Sequence, residues 1–152
     1  MSEMEFILYE VVVRVSVITL NRPDRRNAQN PQLLRELDQA WDMAAADKDV
    51  RVIVLKANGP HFSAGHDISA SRDRAIVSEI DIDNEGLAAL YNWERKHYLG
   101  FSRKWRDIPK PSIARVHGSA VGGGVGLMLA CDFAVASSSA RFPHSNASGS
   151  CA

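Results

Sequence analysis

Short apolar segments rich in β-branched residues alternate with helical patterns along this chain, and that alternation constrains its fold more than any other feature. The strand-like segments are Val11–Leu20, Val50–Ala57, Ile113–Val116 and Asp132–Ala136. Between them, apolar residues recur at helical spacing after Pro31 and again from Glu85 to Ile108. Strands that alternate with helices indicate an α/β fold, in which helices pack on a sheet.

Each strand pattern also predicts which faces are buried. Val11–Leu20 reads as one half-buried strand, with Val13, Val15 and Val17 on the buried side. Val50–Ala57 is apolar almost throughout, which predicts a strand covered on both faces.

The first helix has a recognisable start. Asn30 is a good N-cap, and Pro31 suits the first helical position, where a missing N–H has no cost. The pattern that follows predicts a solvent-facing side formed by Arg35, Glu36, Asp38 and Asp42.

Composition excludes several classes of function. The 18 basic and 18 acidic residues cancel, which argues against a nucleic-acid or anionic-membrane partner. Apolar stretches are too short to span a bilayer. Cys131 and Cys151 do not form a disulfide framework, so a buried free thiol at Cys131 and a cytoplasmic location are predicted. No group of residues has metal-ligand spacing, so no metal is expected.

Two loops carry the candidate chemistry. Phe62–Ile68 follows the second strand pattern, and Gly122–Gly126 follows the third and opens a helix. Open α/β sheets bind ligands at the carboxyl ends of their strands. Glycines let backbone N–H groups approach a ligand closely, and two such groups aimed at one oxygen would stabilise an enolate or a tetrahedral oxyanion.

Taken separately, each loop has a purely structural alternative. The glycine run could serve tight packing of a helix on a strand, and Ala64–Gly65 could be an ordinary turn. The glycine run is not a phosphate-binding Walker loop, because no Gly-Lys-Ser/Thr follows it.

Considered together with their flanks, the loops resemble the crotonase (enoyl-CoA hydratase/isomerase) family over about residues 8–142. The matching motifs, in family order and at family spacing, are Asn21–Pro23 with Asn27–Ala28, Phe62–Ile68, Lys110–Gly118, Ala120–Gly124 and Cys131–Asp132. The resemblance implies an α/β, crotonase-like fold of repeated β-β-α units that lacks the C-terminal helical part. Residues 1–142 would form the N-terminal half of that core. The tail 143–152 matches nothing in the family, which a frameshift, an early stop or a cloning boundary would explain.

The resemblance also assigns roles to residues. The backbone N–H groups of His66 and Gly123 would form an oxyanion hole for a thioester carbonyl, and the backbone around Ala64 would meet the adenine of coenzyme A. Arg25 or Arg26 would meet a phosphate of coenzyme A. The remaining residues implied to contact substrate are Gly65, Asp67, Ile68, Gly122, Gly124 and Gly126. Asp67 is expected to hold its loop rather than to do chemistry.

The chain departs from the family pattern where hydratases carry carboxylates. Gly126 occupies the position where they commonly place a glutamate, and no second carboxylate follows Phe142. Other polar residues have structural interpretations: His117 is expected to be structural and His97 solvated. A catalytic imidazole at His66 is the less favoured reading of that residue. The three tryptophans, Trp41, Trp93 and Trp105, are expected in the core or an interface.

The resulting hypothesis is an acyl-CoA thioester-binding enzyme, of lyase or isomerase type, that stabilises an enolate for hydration or isomerisation. Coenzyme A would enter as part of the substrate, without a further cofactor. The alternative is a truncated, catalytically impaired acyl-CoA-binding remnant or an assembly subunit; an acyl-transfer hydrolase fits less well. We expect a homo-oligomer, a trimer or hexamer as in the family. We also expect exposed apolar surface on the sheet at Asp132–Ala136 and on the helix face that carries Tyr91, Tyr98, Phe101 and Trp105.

Overall fold

A five-stranded sheet organises the chain, in the strand order β1-β2-β3-β4-β5. The computed structural model describes residues 4–67, 84 and 86–143. The strands are β1 (Ile7–Val12), β2 (Val15–Leu20), β3 (Val52–Ala57), β4 (Ser112–Val116) and β5 (Phe133–Ala136). β1 pairs with β2 in antiparallel orientation, and the remaining neighbours are parallel. The carboxyl ends of β2, β3 and β4 therefore meet at one edge of the sheet.

The first strand pattern is a hairpin and not the single strand that its sequence predicted. Val13 and Arg14 turn the chain with positive φ angles of 46° and 68°. Two successive positive φ angles give the twist that a tight antiparallel hairpin requires. Val13 is consequently 90% exposed, whereas it was predicted on the buried side.

The first helix, α1 (Pro31–Ala46), confirms the predicted start, since the Asn30 side chain accepts a hydrogen bond from the Leu33 N–H at 2.9 Å. Its apolar side packs against the sheet in the main core. The prediction that Glu36 faces solvent is wrong. Glu36 is buried, because its carboxylate accepts a hydrogen bond from the Phe6 N–H at 2.7 Å and so ties the segment just before β1 to the helix.

The two faces of the sheet differ. Burial alternates along β3, so one face is fully covered and the other is only half-buried, contrary to the prediction that both faces are covered. The edge strand β5 is exposed along its length, and Phe133 and Val135 retain more than half of their surface. The expectation of exposed apolar surface on this part of the sheet agrees with the structure.

The long helical pattern contains three segments: α2 (Leu87–Glu94), a π-helical segment (Arg95–Gly100) and α3 (Phe101–Arg106). Sequence spacing did not predict the π-helical segment. Trp105 is 2% exposed and stacks on Trp41 with ring centroids 6.1 Å apart, so it belongs to the core and not to an exposed apolar face. Tyr91 remains exposed, as predicted, whereas Tyr98 and Phe101 are partly buried.

The last described helix is α4 (Gly123–Leu129), directly after the glycine-rich loop. Cys131 follows it and is a buried free thiol, as predicted. Burial, helped by the nearby Asp132 carboxylate, raises the pKa of the Cys131 thiol to about 12, so it stays protonated and unreactive at neutral pH. Among the described residues, no helix is long and apolar enough to cross a bilayer.

Candidate functional site

Three loops lie side by side where β2, β3 and β4 end. Gln29 and His66 form one parallel bridge, and Ser63 and Ala120 form another. The second bridge is made by a Val121 N–H that donates to the Ser63 carbonyl at 3.0 Å. The two loops singled out from the sequence are therefore in direct contact, together with a third segment at 27–29 that belongs to the Asn-Ala motif.

Asn27 holds this loop cluster together from a fully buried position. Its side-chain oxygen accepts from the Arg22 N–H at 2.9 Å, and its side-chain nitrogen donates to the carbonyls of Asn58 and His61 at 2.9 and 3.0 Å. One amide side chain thus satisfies three backbone groups that would otherwise lose hydrogen bonds on burial.

Replacing Asn27 by alanine is expected to destabilise the chain by about 2–4 kcal/mol, because it leaves buried backbone groups unpaired. Urea unfolding followed by tryptophan fluorescence measures this loss. Asn27→Asp is the matched variant, since it keeps the acceptor and removes both donors. A loss under about 1 kcal/mol for Asn27→Ala would contradict this role for the side chain.

The backbone around Gly65 is shaped by close contact with the glycine-rich loop. Gly65 has a φ of 83°, and a Cβ added there would lie 2.6 Å from the Val121 carbonyl oxygen and 3.0 Å from the Gly123 nitrogen. Only glycine fits both the left-handed backbone and this approach. The position brings the peptide that joins Gly65 to His66 next to the first residue of α4.

The N–H groups of His66 and Gly123 are both available to a ligand. Gln29 bonds to the carbonyl of Gly65 and to the N–H of Asp67, at 2.7 and 3.0 Å. These bonds flank His66, so its own N–H points away from Gln29. Within the described part of the chain, neither the His66 N–H nor the Gly123 N–H donates a hydrogen bond.

Both residues line one cavity of about 230 Å³. Its other lining residues are Gln29, Leu34, His97, Tyr98, Leu99, Ser102, Trp105, Gly126 and Leu127. Most of this wall is apolar, and an apolar surrounding strengthens any hydrogen bond made inside it. The cavity is therefore lined by two residues whose N–H groups have no partner among the described residues, within a wall of low polarity.

The remaining residues predicted for the site lie around these two loops. Asp67 pairs with Arg22 at 2.6 Å, and both side chains are largely buried, so the pair fixes its loop as expected. The Ala64 N–H donates to the carbonyl of Arg26, which places Arg26 beside that loop. Arg25 and Arg26 are exposed.

Of the other predicted site residues, Gly122 and Gly124 flank Gly123, and Gly124 is buried against Ser63. Gly126 lines the cavity, and a Cβ added there would meet nothing within 4 Å. Ile68 lies outside the described residues, as does the charged stretch 69–83.

A carboxylate that sequence spacing missed lies beside His66. Glu94, the last residue of α2, places a carboxylate oxygen 3.1 Å from Nε2 of His66. The His66 ring also stacks on Tyr98, with centroids 3.6 Å apart. Burial first, and then the nearby Glu94 and Asp67 carboxylates, raise the pKa of Tyr98, so its hydroxyl stays protonated. No sequence motif joins Glu94 to His66, which lie 28 residues apart in sequence.

The other histidines also have defined positions. His97 is buried, contrary to the prediction that it is solvated, and its Nδ1 lies 3.0 Å from the Trp93 carbonyl oxygen. Nε2 of His117 lies 2.7 Å from the Gly59 carbonyl oxygen, which links two loops and fits its predicted structural role. Within residues 4–67 and 86–143, no group of three or more His, Cys, Asp or Glu side chains could hold a metal ion.

Comparison with known proteins identifies the family of this chain. The sequence model of the enoyl-CoA hydratase/isomerase family matches residues 12–148. EchA13 of Mycobacterium tuberculosis is 37% identical, with 92% of this chain and 48% of that protein covered. The (E)-benzylidenesuccinyl-CoA hydratase of Thauera aromatica is 34% identical, with 90% of this chain and 48% of that protein covered. The chain thus spans about half the length of the curated relatives it matches.

Solved structures agree with the sequence match. An enoyl-CoA hydratase/isomerase from Xanthobacter autotrophicus Py2 superposes with a TM-score of 0.79 at 34% identity, over 93% of this chain and 49% of that one. This likeness confirms the predicted α/β, crotonase-like fold. From its motifs, its fold and the family match over residues 12–148, the chain belongs to the enoyl-CoA hydratase/isomerase family.

Proposed function

We propose that this chain binds the thioester end of an acyl-CoA and stabilises the oxyanion or enolate that forms from it. The backbone N–H groups of His66 and Gly123 would donate to the thioester oxygen. The observation that carries the proposal is that these two N–H groups, from loops in direct contact, line one cavity and are unpaired among the described residues.

Energetics favour this use of the two donors. A single oxyanion-hole donor is typically worth about 2.7–4 kcal/mol in a transition state. The donors are backbone groups whose loops are paired with each other, so they need little reorganisation when negative charge develops. The cavity accommodates the acyl end, and the nucleotide of coenzyme A would extend past the Ala64 loop toward Arg25 and Arg26.

Polarisation of the thioester does not by itself give rapid hydration. Adding water across a carbon–carbon double bond needs a positioned acid or base, and Gly126 supplies none at the position where hydratases of the family commonly carry glutamate. We therefore infer a chain that binds and polarises acyl-CoA thioesters, and that hydrates them slowly. Gly126 also supports the alternative, in which the chain is a catalytically impaired acyl-CoA-binding remnant.

Crotonyl-CoA is expected to bind at least tenfold more tightly than coenzyme A or crotonate, because only the intact thioester satisfies both the N–H donors and the nucleotide contacts. Isothermal calorimetry with the three ligands measures the difference. Gly65→Ala is the variant to compare, because its Cβ would push into the Val121 carbonyl and displace the oxyanion hole. Equal affinities for all three ligands in the wild-type chain would contradict the proposal.

A further inference from the structure

We propose that the imidazole of His66, positioned by Glu94 and Tyr98, is the base that moves a proton at the α-carbon of the bound thioester. The inference rests on the proposed oxyanion hole and extends it from backbone to side chain. It assigns an acid/base group to a site in which the expected glutamate position holds Gly126.

Proximity is the first argument. The His66 N–H would bind the thioester oxygen, and the ring belongs to the same residue. The imidazole therefore lies within one side-chain length plus one hydrogen bond of that oxygen. The α-carbon is two bonds from the same oxygen, and His66 lines the cavity that would hold it.

The hydrogen bond to Glu94 sets the chemistry of the ring. An ionised carboxylate can only accept, so Nε2 carries the proton at the 3.1 Å contact. In the neutral ring Nδ1 then has the lone pair, and within the described part of the chain Nδ1 has no partner. This is the arrangement in which a carboxylate fixes the tautomer and orientation of a catalytic histidine.

Tyr98 restrains the ring from a second direction. Its ring stacks on the imidazole at 3.6 Å, and its hydroxyl donates to the Gln29 carbonyl at 3.4 Å. Gln29 is the residue whose backbone pairs on both sides of His66. The plane of the imidazole is thus tied to the same loop that orients the His66 N–H. An exposed hydrogen bond between a histidine and a carboxylate contributes little to stability, so the Glu94 contact matters here because it orients the ring.

The proposed step balances without any further reactant. Nδ1 takes the proton from the α-carbon, the electron pair of that C–H bond forms a carbon–carbon double bond, and the carbonyl π pair moves to oxygen. The enolate is held by the N–H groups of His66 and Gly123. Return of the proton from Nδ1 to carbon reverses the step, and in D₂O the protonated ring exchanges with solvent and returns deuterium.

Exchange of the α-protons of butyryl-CoA in D₂O, followed by proton NMR, tests the inference without requiring hydration. The wild-type chain is expected to catalyse exchange, and His66→Phe to lose it about 100-fold. Phenylalanine keeps both the backbone N–H and a ring to stack on Tyr98. The carbonyl infrared shift of bound thioester should therefore survive in His66→Phe. His117→Gln, at a histidine outside this cavity, should exchange at the wild-type rate.

Glu94 acts through His66, so its variants should change one kinetic parameter only. Glu94→Ala is expected to lower the maximal exchange rate about tenfold with an unchanged half-saturating concentration, and Glu94→Gln, which keeps an acceptor, to recover part of it. Undiminished exchange in His66→Phe overturns the inference. A wild-type chain that shifts the carbonyl band but exchanges no α-protons also overturns the inference. In that case the proposed oxyanion hole would still stand. Absence of the carbonyl shift in the wild type overturns the proposed function itself.

Discussion

Replacing Gly126 by glutamate is expected to raise the rate of crotonyl-CoA hydration by about 100-fold over a wild-type rate close to background, because a positioned acid/base group typically contributes about 10²–10⁴-fold. The position lines the same cavity as His66 and Gly123, and a new side chain there meets nothing within 4 Å of its Cβ. Loss of absorbance of the conjugated thioester measures the rate.

Gly126→Gln is the matched control, since glutamine has the same size and cannot take up or release a proton. A glycine in a helix also costs about 1 kcal/mol relative to good helix formers, so both variants should unfold at somewhat higher urea than the wild type. Equal rates in the glutamate and glutamine variants would show that the cavity cannot place water against the double bond. A wild-type chain that already hydrates rapidly would contradict the inferred defect.

Replacing Gly123 by proline is expected to abolish the infrared shift of a bound thioester carbonyl and to slow α-proton exchange about 100- to 1000-fold, the typical cost of losing one oxyanion donor. Proline removes the N–H, and it is well tolerated at the first position of a helix, which Gly123 occupies in α4. The experiment therefore removes one donor with little cost to the local backbone.

Gly123→Ala separates the lost donor from added bulk. Its Cβ would lie 2.9 Å from the side-chain oxygen of Gln29, as would that of proline, but the N–H remains. The alanine variant should keep most of the carbonyl shift, and the proline variant none. Loss of the shift in both variants to the same degree would mean that crowding of Gln29, and not the N–H, explains the effect.

Sequence patterns predicted those parts of this fold that depend on local chemistry. The start of α1 follows from Asn30 and Pro31, and the meeting of the two loops follows from their positions at the ends of neighbouring parallel strands. The hairpin was missed because Val13 and Arg14 adopt positive φ without glycine, which side-chain type does not signal.

The remaining errors concern contacts that the polarity of a residue and of its sequence neighbours does not reveal. Glu36 was assigned to solvent because its helical position is polar, but a hydrogen bond from the Phe6 N–H, 30 residues away in sequence, accounts for its burial. His97 was assigned to solvent because charged residues surround it in sequence, although Trp93 and Phe101 enclose its ring. Glu94 reaches His66 only through the packing of the helical segment on the loop, so no local pattern could show it.

The π-helical segment Arg95–Gly100 has an evolutionary consequence. A π-helical turn accommodates an extra residue within an otherwise α-helical run, and such turns are frequent at functional sites. With Trp105 anchored in the core, removal of one residue would restore a regular helix and rotate everything before it by about 100°. Glu94 would then turn away from His66. Relatives with a shorter helix at this place would therefore retain the two contacting loops and lack the carboxylate–imidazole pair.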